Sequence, residues 1–325
     1  MMEKNVLTVE KIESAQRQLA PHIYKTALEL SHSLSTDTSN VFLKLECQQV
    51  GKSFKIRGAL NKMFSLNEDE KSKGVATVSS GNHGIAVSFA AKLLNIEKVC
   101  IIVPRTTPDS KIEKIKFYGG EVLLMGNNFD EANLEGMNYI SGSDMTFIDG
   151  GDLDEVIYAG QGTVGLEILE QNPLIDTILV PIGGGALLVS IAIAVKSKHP
   201  KVKIIGVYSE ACPAWTESNR QNVCLTQFDS APSVCEAMVG GIGRLAFEYR
   251  HWIDDTIMVR EESVKKAMVH AIFNEKISAE ASGAVPIAAI LEHGVKDFGK
   301  NIALVITGGN ANDQVLKSAV DNHIL

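Results

Sequence analysis

The first group in this sequence that could do chemistry is a lysine near the start of an amphipathic segment. Lys55 lies in the stretch 51–59, where Ser53 is a good N-cap for a helix predicted over residues 53–66. The helix dipole and partial burial both disfavour the ammonium form there, which leaves a nucleophilic amine able to form a Schiff base. Most lysines at helix starts are simply solvated, so spacing alone leaves this role open.

A second candidate is the turn Ser79-Ser80-Gly81-Asn82-His83-Gly84, which follows a short apolar run. It would place two hydroxyls, an amide and an imidazole at a helix start. The alternative is an ordinary capped helix in which Ser80 or Asn82 is the cap. His83 alone could equally be a hydrogen-bonded structural residue, and nothing resembles a catalytic triad at a nucleophile elbow.

A third candidate is the run Gly183-Gly184-Gly185-Ala186, which joins an apolar strand to a helix. Consecutive glycines let backbone N–H groups converge on an anion at a helix start, which suits a phosphate, although tight strand-to-helix turns also use glycine. The Walker pattern is absent because no Lys-Ser/Thr pair follows, and the dinucleotide fingerprint is poor.

The elements that must position these groups alternate between short apolar runs and longer helical patterns, which predicts an α/β protein with parallel strands and crossover helices. Strands are predicted at residues 41–45, 75–78, 99–103, 121–124, 177–180, 203–207, 256–259 and 302–306. The clearest helices are 53–66, 82–94, 109–117, 128–140, 186–196, 262–274 and 312–321.

Three loops that follow predicted strands, at 79–82, 183–185 and 307–310, predict one shared cleft at the carboxyl ends of the strands. The length of 325 residues exceeds what one core usually supports. We expect a large domain formed by residues 1–70 and 150–325, and a small domain formed by residues 71–149.

Composition excludes several classes of function. The net charge is -8, and no run of Lys and Arg is interleaved with aromatic residues, so nucleic acid is not expected as a partner. The five cysteines are scattered without a C-x-x-C pair and are expected to be reduced thiols. No signal peptide and no apolar run of membrane-spanning length is visible, so we expect a cytoplasmic protein without a membrane partner.

Taken together, five segments resemble the fold type II pyridoxal-phosphate enzymes, and within them the threonine/serine dehydratase and serine racemase branch. These segments are 53–59, 79–84, Ala159-Gly160-Gln161-Gly162-Thr163, 183–185 and Thr307-Gly308-Gly309-Asn310. The resemblance implies the tryptophan synthase β-like fold, with two open, twisted, parallel-type sheets flanked by helices.

The resemblance also implies site roles. Lys55 would hold the cofactor, pyridoxal 5'-phosphate, and move the substrate α-proton. Asn82 would bond the pyridine 3'-oxygen, and Thr307 would face the pyridine nitrogen. The backbone N–H groups of Gly183, Gly184, Gly185 and Ala186 would bind the phosphate.

On the substrate side, the resemblance implies that Ser79, Asn82 and His83 grip the substrate carboxylate. Ser80 would face the opposite side of the substrate α-carbon, where a racemase needs a second acid or base. Glu280 matches a family glutamate near the cofactor, or is a helix N-terminal charge.

Two segments depart from the family pattern. Asp149-Gly150-Gly151 stands where relatives have a His-Pro pair, and Cys235-Glu236-Ala237 replaces the usual Ala-Asp-Gly. Both border the expected substrate site, so the identity of the substrate side chain stays open. A racemase-type cation site is not expected, because Glu210 has no second carboxylate in register and Glu217 lies outside it.

The function that the resemblance implies is a lyase that converts a β-hydroxy amino acid, namely threonine, serine or a derivative, to a 2-oxo acid and ammonia. An amino-acid racemase is the nearest alternative. A catalytically silent protein that binds a phosphate ligand is an alternative of another class, although the retained Lys55 argues against it. The family implies a homodimer.

Overall fold

A computed structural model describes residues 6–79 and 81–323, whose ten strands form two separate sheets. The strands are β1 (Leu28–Thr36), β2 (Ser39–Lys44), β3 (Val75–Val78), β4 (Val99–Val103), β5 (Glu121–Leu124), β6 (Thr146–Phe147), β7 (Thr177–Pro181), β8 (Lys203–Ser209), β9 (Asp255–Val259) and β10 (Asn301–Val305). The six-stranded sheet has the order β1-β2-β10-β7-β8-β9, and only its β1–β2 pair is antiparallel. The four-stranded sheet, in the order β5-β4-β3-β6, is fully parallel.

Thirteen α-helices connect and flank these strands in the described part of the chain. They are α1 (Val9–Leu19), α2 (Lys55–Phe64), α3 (Glu68–Lys73), α4 (Asn82–Leu93), α5 (Asp109–Phe117), α6 (Phe129–Ser141), α7 (Glu155–Gln171), α8 (Ala186–Lys196), α9 (Ala214–Gln221), α10 (Arg244–Glu248), α11 (Glu261–Phe273), α12 (Ala281–His293) and α13 (Asp313–His323). None of the helices within residues 6–79 and 81–323 is both long and apolar enough to cross a membrane.

Side chains of each central strand alternate between two cores. On β10, Ala303 and Val305 pack on the side of α7 and α8, whereas Ile302 and Leu304 pack on the side of α11 and α12. This alternation follows from the two-residue period of a strand and from helices on both faces of the sheet. The predicted α/β class with two parallel-type sheets is confirmed.

The predicted strands lie within two residues of those observed at either end, but the predicted N-cap of the Lys55 helix is wrong. The helix begins at Lys55, and Phe54 occupies the cap position without a side-chain hydrogen bond. Ser53 instead bridges Gly308, and the N–H of Phe54 donates to the carbonyl of Thr307 at 3.1 Å. Pairing with a distant loop therefore replaces the local cap.

The two sheets divide the strands where the predicted domains divide the chain. All strands of the four-stranded sheet lie within residues 75–147, and the other six strands lie on either side of that range. Separate sheets support the division into a small and a large domain, which stays a prediction.

A buried ion cluster lies beneath the helix that carries Lys55. The guanidinium of Arg57 donates two hydrogen bonds to Glu46 at 2.8 Å and two to Glu167 at 2.7 and 2.9 Å. A fifth bond, of 3.1 Å, reaches the hydroxyl of Thr163. All five N–H donors of the guanidinium are therefore used. The side chains of Arg57 and Glu46 are fully buried.

Lys44 completes the cluster from the end of β2. Its ammonium donates to Glu167 at 2.6 Å, to the Thr26 carbonyl at 2.8 Å and to Gln171 at 3.0 Å. Two cations and two carboxylates are thus buried together and joined by hydrogen bonds. Breaking such a cluster is costly, since the partner left behind is a buried charge without compensation.

We expect Arg57→Met to lower the free energy of unfolding by about 3 to 5 kcal/mol, because Glu46 and Glu167 lose their shared cation. The control is Lys25→Met, which removes an ion pair whose two side chains are about half exposed, and it should change the free energy by less than about 1 kcal/mol. Urea unfolding of the full chain measures both. Equal effects of the two substitutions would contradict the role given to the buried cluster.

Candidate active site

The carboxyl ends of β3, β7 and β10 face a single cleft of about 1520 Å³. Every predicted site residue in the described part of the chain lines it. These are Lys55, Ser79, Asn82, His83, Gly183, Gly184, Gly185, Ala186, Glu280 and Thr307. Ser80, the predicted second acid or base, lies outside the described residues. Three segments that are distant in sequence therefore form one site, as their positions after strands predict.

Lys55 is half-buried in the wall of this cleft, at the first position of α2. Its ammonium donates a hydrogen bond of 3.2 Å to the carbonyl of Gly150 and lies 5.2 Å from the centre of the Phe54 ring. Burial lowers the pKa of Lys55 below its ordinary value, against the opposing charges of Asp149 and Glu280. The amine is thus more readily available as a nucleophile or base than that of a solvated lysine.

The loop that faces Lys55 is organised by Asp149. Its carboxylate accepts hydrogen bonds from the N–H groups of Gly151, Asp152, Leu153 and Asp154 at 2.7 to 3.1 Å. Burial alone would raise the pKa of Asp149, but these bonds hold it below its ordinary value. The segment Asp149-Gly150-Gly151, which is the first departure from the family pattern, therefore begins a loop that the Asp149 carboxylate holds in place.

The glycine loop at the start of α8 has the form of an anion site. Gly185 has a φ of 89°, and a Cβ there would lie 2.6 Å from the ring of Trp215. A Cβ on Gly183 would lie 2.5 Å from the carbonyl oxygen of Ala237. No described residue accepts a hydrogen bond from the N–H groups of Gly183, Gly184 or Gly185. These free donors at the positive end of an eleven-residue helix suit a phosphate.

Asn82 and Glu280 meet across the cleft. The Asn82 amide group donates to both carboxylate oxygens of Glu280, at 2.8 and 3.0 Å. Burial raises the pKa of Glu280, against the charge of Lys111 and the bond from Asn82. Thr307 lies nearby with its hydroxyl free of any described partner, while its main-chain carbonyl holds the start of α2.

The turn before α4 is closed by Ser79. Its hydroxyl accepts hydrogen bonds from the N–H groups of Gly81 and Gly84, both at 2.9 Å. Gly81 occupies the cap position of α4 and Asn82 is the first residue of the helix, so Asn82 is not the cap. The Ser79 hydroxyl accepts the N–H bonds at this helix start. The N–H groups of Asn82 and His83 have no acceptor among the described residues.

The imidazole of His83 is buried and uncharged. Its Nε2 lies 3.4 Å from the carbonyl of Ile148, which can only accept, so this nitrogen is assigned the hydrogen. Burial and the charge of Lys55 lower the pKa of His83 to about 4. If His83 takes part in holding a substrate carboxylate, its backbone N–H is therefore better suited than its side chain.

The second departure from the family pattern forms an ion pair that the sequence interpretation missed. Glu236 lies 2.9 Å from the ammonium of Lys111 and accepts a bond of 3.1 Å from Asn312. Lys111 belongs to α5, 125 positions away from Glu236. No local pattern in the sequence signals a pair of this separation.

Acidic side chains near the expected cation position are used otherwise. Glu210 accepts a hydrogen bond of 3.0 Å from the N–H of Glu261, and Glu217 pairs with Arg220. Within the described ranges, no group of three or more His, Cys, Asp or Glu side chains could hold a metal ion.

Comparison with known proteins identifies the family. Residues 19–308 match the family described as "Pyridoxal-phosphate dependent enzyme". The chain belongs to this family. The resemblance predicted from the sequence, the fold type II architecture and the cofactor pyridoxal phosphate are thereby confirmed.

Relatives of this pyridoxal-phosphate dependent enzyme include an L-threonine ammonia-lyase of Thermotoga maritima, 37% identical over 98% of this chain and 80% of the relative. A catabolic L-threonine dehydratase of Staphylococcus aureus is 38% identical over 95% of this chain and 90% of the relative. The structure of maize serine racemase has a TM-score of 0.86 and 31% identity, over 97% of both chains. The processed form of threonine deaminase isoform 2 from Solanum lycopersicum has a TM-score of 0.89 and 30% identity, over 97% of this chain and 87% of that one.

The residues present fit pyridoxal phosphate. The free N–H groups of the glycine loop suit its phosphate, and Lys55, with its lowered pKa, suits its aldehyde. Asn82 and Thr307 supply the neutral hydrogen-bonding groups that the resemblance places around the ring.

We expect Gly185→Ala to weaken the affinity for pyridoxal phosphate by at least about tenfold, because the new methyl group meets Trp215 and the backbone has a positive φ. Titration of the visible absorbance of protein-bound cofactor measures this change. Gly142→Ala is the control, since that residue has a helical φ of -85° and a Cβ there would come no closer than 3.6 Å to another atom, which is an ordinary contact. Affinity unchanged in Gly185→Ala would argue against phosphate binding at this loop.

The lowered pKa of His83 predicts a pH-dependent stability. In the folded protein His83 is protonated only near pH 4, whereas the ordinary pKa of histidine is 6.5. The folded state therefore loses stability as the pH falls from 6.5 toward 4. We expect this group to account for a loss of about 2 kcal/mol between pH 7 and pH 5. Urea unfolding at both pH values should show a smaller loss for His83→Gln than for the wild type. Parallel losses would contradict the assignment.

Proposed function

We propose that this protein is a pyridoxal-phosphate-dependent ammonia-lyase that converts a β-hydroxy amino acid to a 2-oxo acid and ammonia. The observation that carries the proposal is the position of Lys55, a half-buried amine of lowered pKa, in one cleft with the free N–H groups of the glycine loop. The names of the curated relatives, L-threonine ammonia-lyase and L-threonine dehydratase, agree with the reaction class predicted from the sequence.

The chemistry divides between the cofactor and the chain. Pyridoxal phosphate, when bound, withdraws electrons from the substrate α-carbon. The Nζ of Lys55 is the group of this chain that would hold the cofactor aldehyde, and as a free amine it would accept the α-proton of the substrate. Loss of this proton and of the β-hydroxyl yields water, and hydrolysis of the resulting enamine yields the 2-oxo acid and ammonia.

The start of α4 binds the substrate carboxylate in this proposal. Within the part of the chain that the structure describes, the backbone N–H groups of Asn82 and His83 have no acceptor, and they lie at the positive end of a twelve-residue helix. Ser79 holds the turn that presents them. The imidazole of His83 lines the same cleft and, with its pKa lowered to about 4, adds no positive charge at neutral pH.

Three finer assignments concern the substrate, the location in the cell and the oligomeric state. We propose that threonine is a substrate, as the names of the relatives suggest, and that serine is a second one. Five cysteines without disulfide bonds agree with a cytoplasmic location. We also propose a homodimer, which the family resemblance implies.

Amino-acid racemisation is the second candidate, favoured by the similarity to the maize serine racemase structure. Racemisation needs an acid or base on each face of the α-carbon. Ser80 is the residue that the resemblance assigns to the second face.

The test is the release of 2-oxo acid from a panel of β-hydroxy amino acids, with the enantiomers of the remaining amino acid measured in parallel. We expect product from L-threonine, and a fall in kcat of at least about a thousandfold in Lys55→Ala. The same substitution should abolish the visible absorbance of bound cofactor. Lys52→Ala is the control, because that lysine is exposed and lies three residues away.

The outcomes separate the candidates. Release of the other enantiomer without 2-oxo acid would replace the lyase by a racemase, with Ser80→Ala expected to abolish the exchange. A wild-type protein that cannot be loaded with pyridoxal phosphate would contradict both candidates.

A further inference from the structure

Four polar side chains form a continuous chain of hydrogen bonds that leads into the cleft. The ammonium of Lys114 donates to the side-chain oxygen of Asn310 at 2.6 Å. The amide nitrogen of Asn310 donates to the side-chain oxygen of Asn82 at 2.8 Å, and Asn82 in turn donates to Glu280. The chain therefore runs from α5, beside the four-stranded sheet, to the residue that precedes α12.

The direction of this chain is fixed at its Lys114 end. An ammonium can only donate, so the oxygen of the Asn310 amide must face Lys114. The nitrogen of the same amide also donates to the main-chain carbonyl of Gly51 at 2.8 Å, and a carbonyl can only accept. Both ends of the Asn310 amide therefore have a partner that permits one orientation only.

The orientation of Asn310 sets that of Asn82. Because the nitrogen of Asn310 points at Asn82, the side-chain oxygen of Asn82 must face away from the cleft, and its NH2 group faces Glu280. Without Asn310, only Glu280 would hold the amide of Asn82. A protonated Glu280 could donate to the amide oxygen, so the amide could then rotate by half a turn and present its oxygen instead. A donor in the site would then become an acceptor.

We propose that Lys114 and Asn310 are positioning residues that hold the amide of Asn82 with its NH2 group toward the 3'-oxygen of the cofactor. The cofactor contact of Asn82 belongs to the proposed function, and the present inference rests on it. Neither Lys114 nor Asn310 lines the cleft, although both are at least half-buried. Any effect of theirs on the cofactor therefore passes through Asn82.

This arrangement couples α5 to the cofactor. Lys114 is on the same helix as Lys111, whose ion pair with Glu236 also spans the cleft. A displacement of α5 would withdraw the ammonium from Asn310 and remove the constraint on the Asn82 amide. The electronic environment of the ring oxygen would then depend on the position of this helix.

The first experiment titrates the full-length protein with pyridoxal phosphate and records the visible absorbance spectrum between pH 6 and pH 9. One hydrogen bond of this kind accounts for about a threefold to tenfold change in an equilibrium constant. We expect Lys114→Met to weaken the affinity by about fivefold and Asn310→Ala by about tenfold. Both should shift the pH dependence of the spectrum in the same direction as Asn82→Ala.

Two variants control this experiment. Lys116→Met removes an exposed lysine from the same helix and should leave affinity and spectrum unchanged. Lys114→Arg keeps a donor that can reach Asn310, and it should restore most of the affinity. A normal affinity and spectrum in Lys114→Met would overturn the role of Lys114. Weakened affinity without any spectral shift would indicate only a structural role.

The second experiment separates the inference from the cofactor. Urea unfolding of the cofactor-free protein compares Lys114→Met, Asn82→Ala and the double variant. Because both substitutions break one chain of bonds, we expect the midpoint of the double variant to fall by less than the sum of the two single falls. Additive falls of the midpoint would overturn the coupling of Lys114 to Asn82, even if the cofactor binds. If the wild type binds no cofactor but the variants show falls that are less than additive, the proposed function is contradicted and the coupling of Lys114 to Asn82 is still supported.

Discussion

The arrangement of the site depends on one buried guanidinium. Arg57 follows Lys55 by two positions, and it is held by carboxylates from the segment after β2 and from the C-terminal half of α7. The same α7 begins directly after the loop whose carbonyl contacts Lys55. The cluster therefore ties the helix that carries the lysine to the helix that follows its contact loop. Since the charges are fully buried, their mutual geometry is strongly constrained.

Burial has the same effect on three titratable groups around the cleft. It lowers the pKa of Lys55 and of His83 and raises that of Glu280, so each group shifts toward its uncharged form. Main-chain N–H groups at the starts of α4 and α8, which have no acceptor among the described residues, add an attraction for anionic ligands. These dipoles are fixed by the fold and do not titrate. A site built in this way can bind a phosphate and a carboxylate while its lysine remains available as a base.

The sequence predicts the strands well because each central strand is an apolar run that ends at a glycine or polar turn. It predicts the cleft because the loops after such strands share one edge of the fold. The pattern fails for β1, an edge strand whose mixed polar and apolar residues resemble a loop, and for the cap at Ser53, where a distant loop pairs with the chain. The motifs identify the residues around Lys55. The cluster of Arg57 and the pair of Lys111 with Glu236 join residues up to 125 positions apart, and no local pattern reveals them.

The loop held by Asp149 has a consequence for how this enzyme can diversify. Four N–H groups converge on the Asp149 carboxylate, so this residue shapes the main chain whose Gly150 carbonyl meets Lys55. Leu153 is exposed and borders the same cleft, but it bonds Asp149 through its main-chain N–H, so replacement of its side chain leaves the path of the loop intact as long as Asp149 remains. Substitutions in this loop would then change the side chains that border the cleft without changing the path of the main chain. Side chains beside Lys55 could therefore vary while the Gly150 carbonyl that contacts it keeps its position.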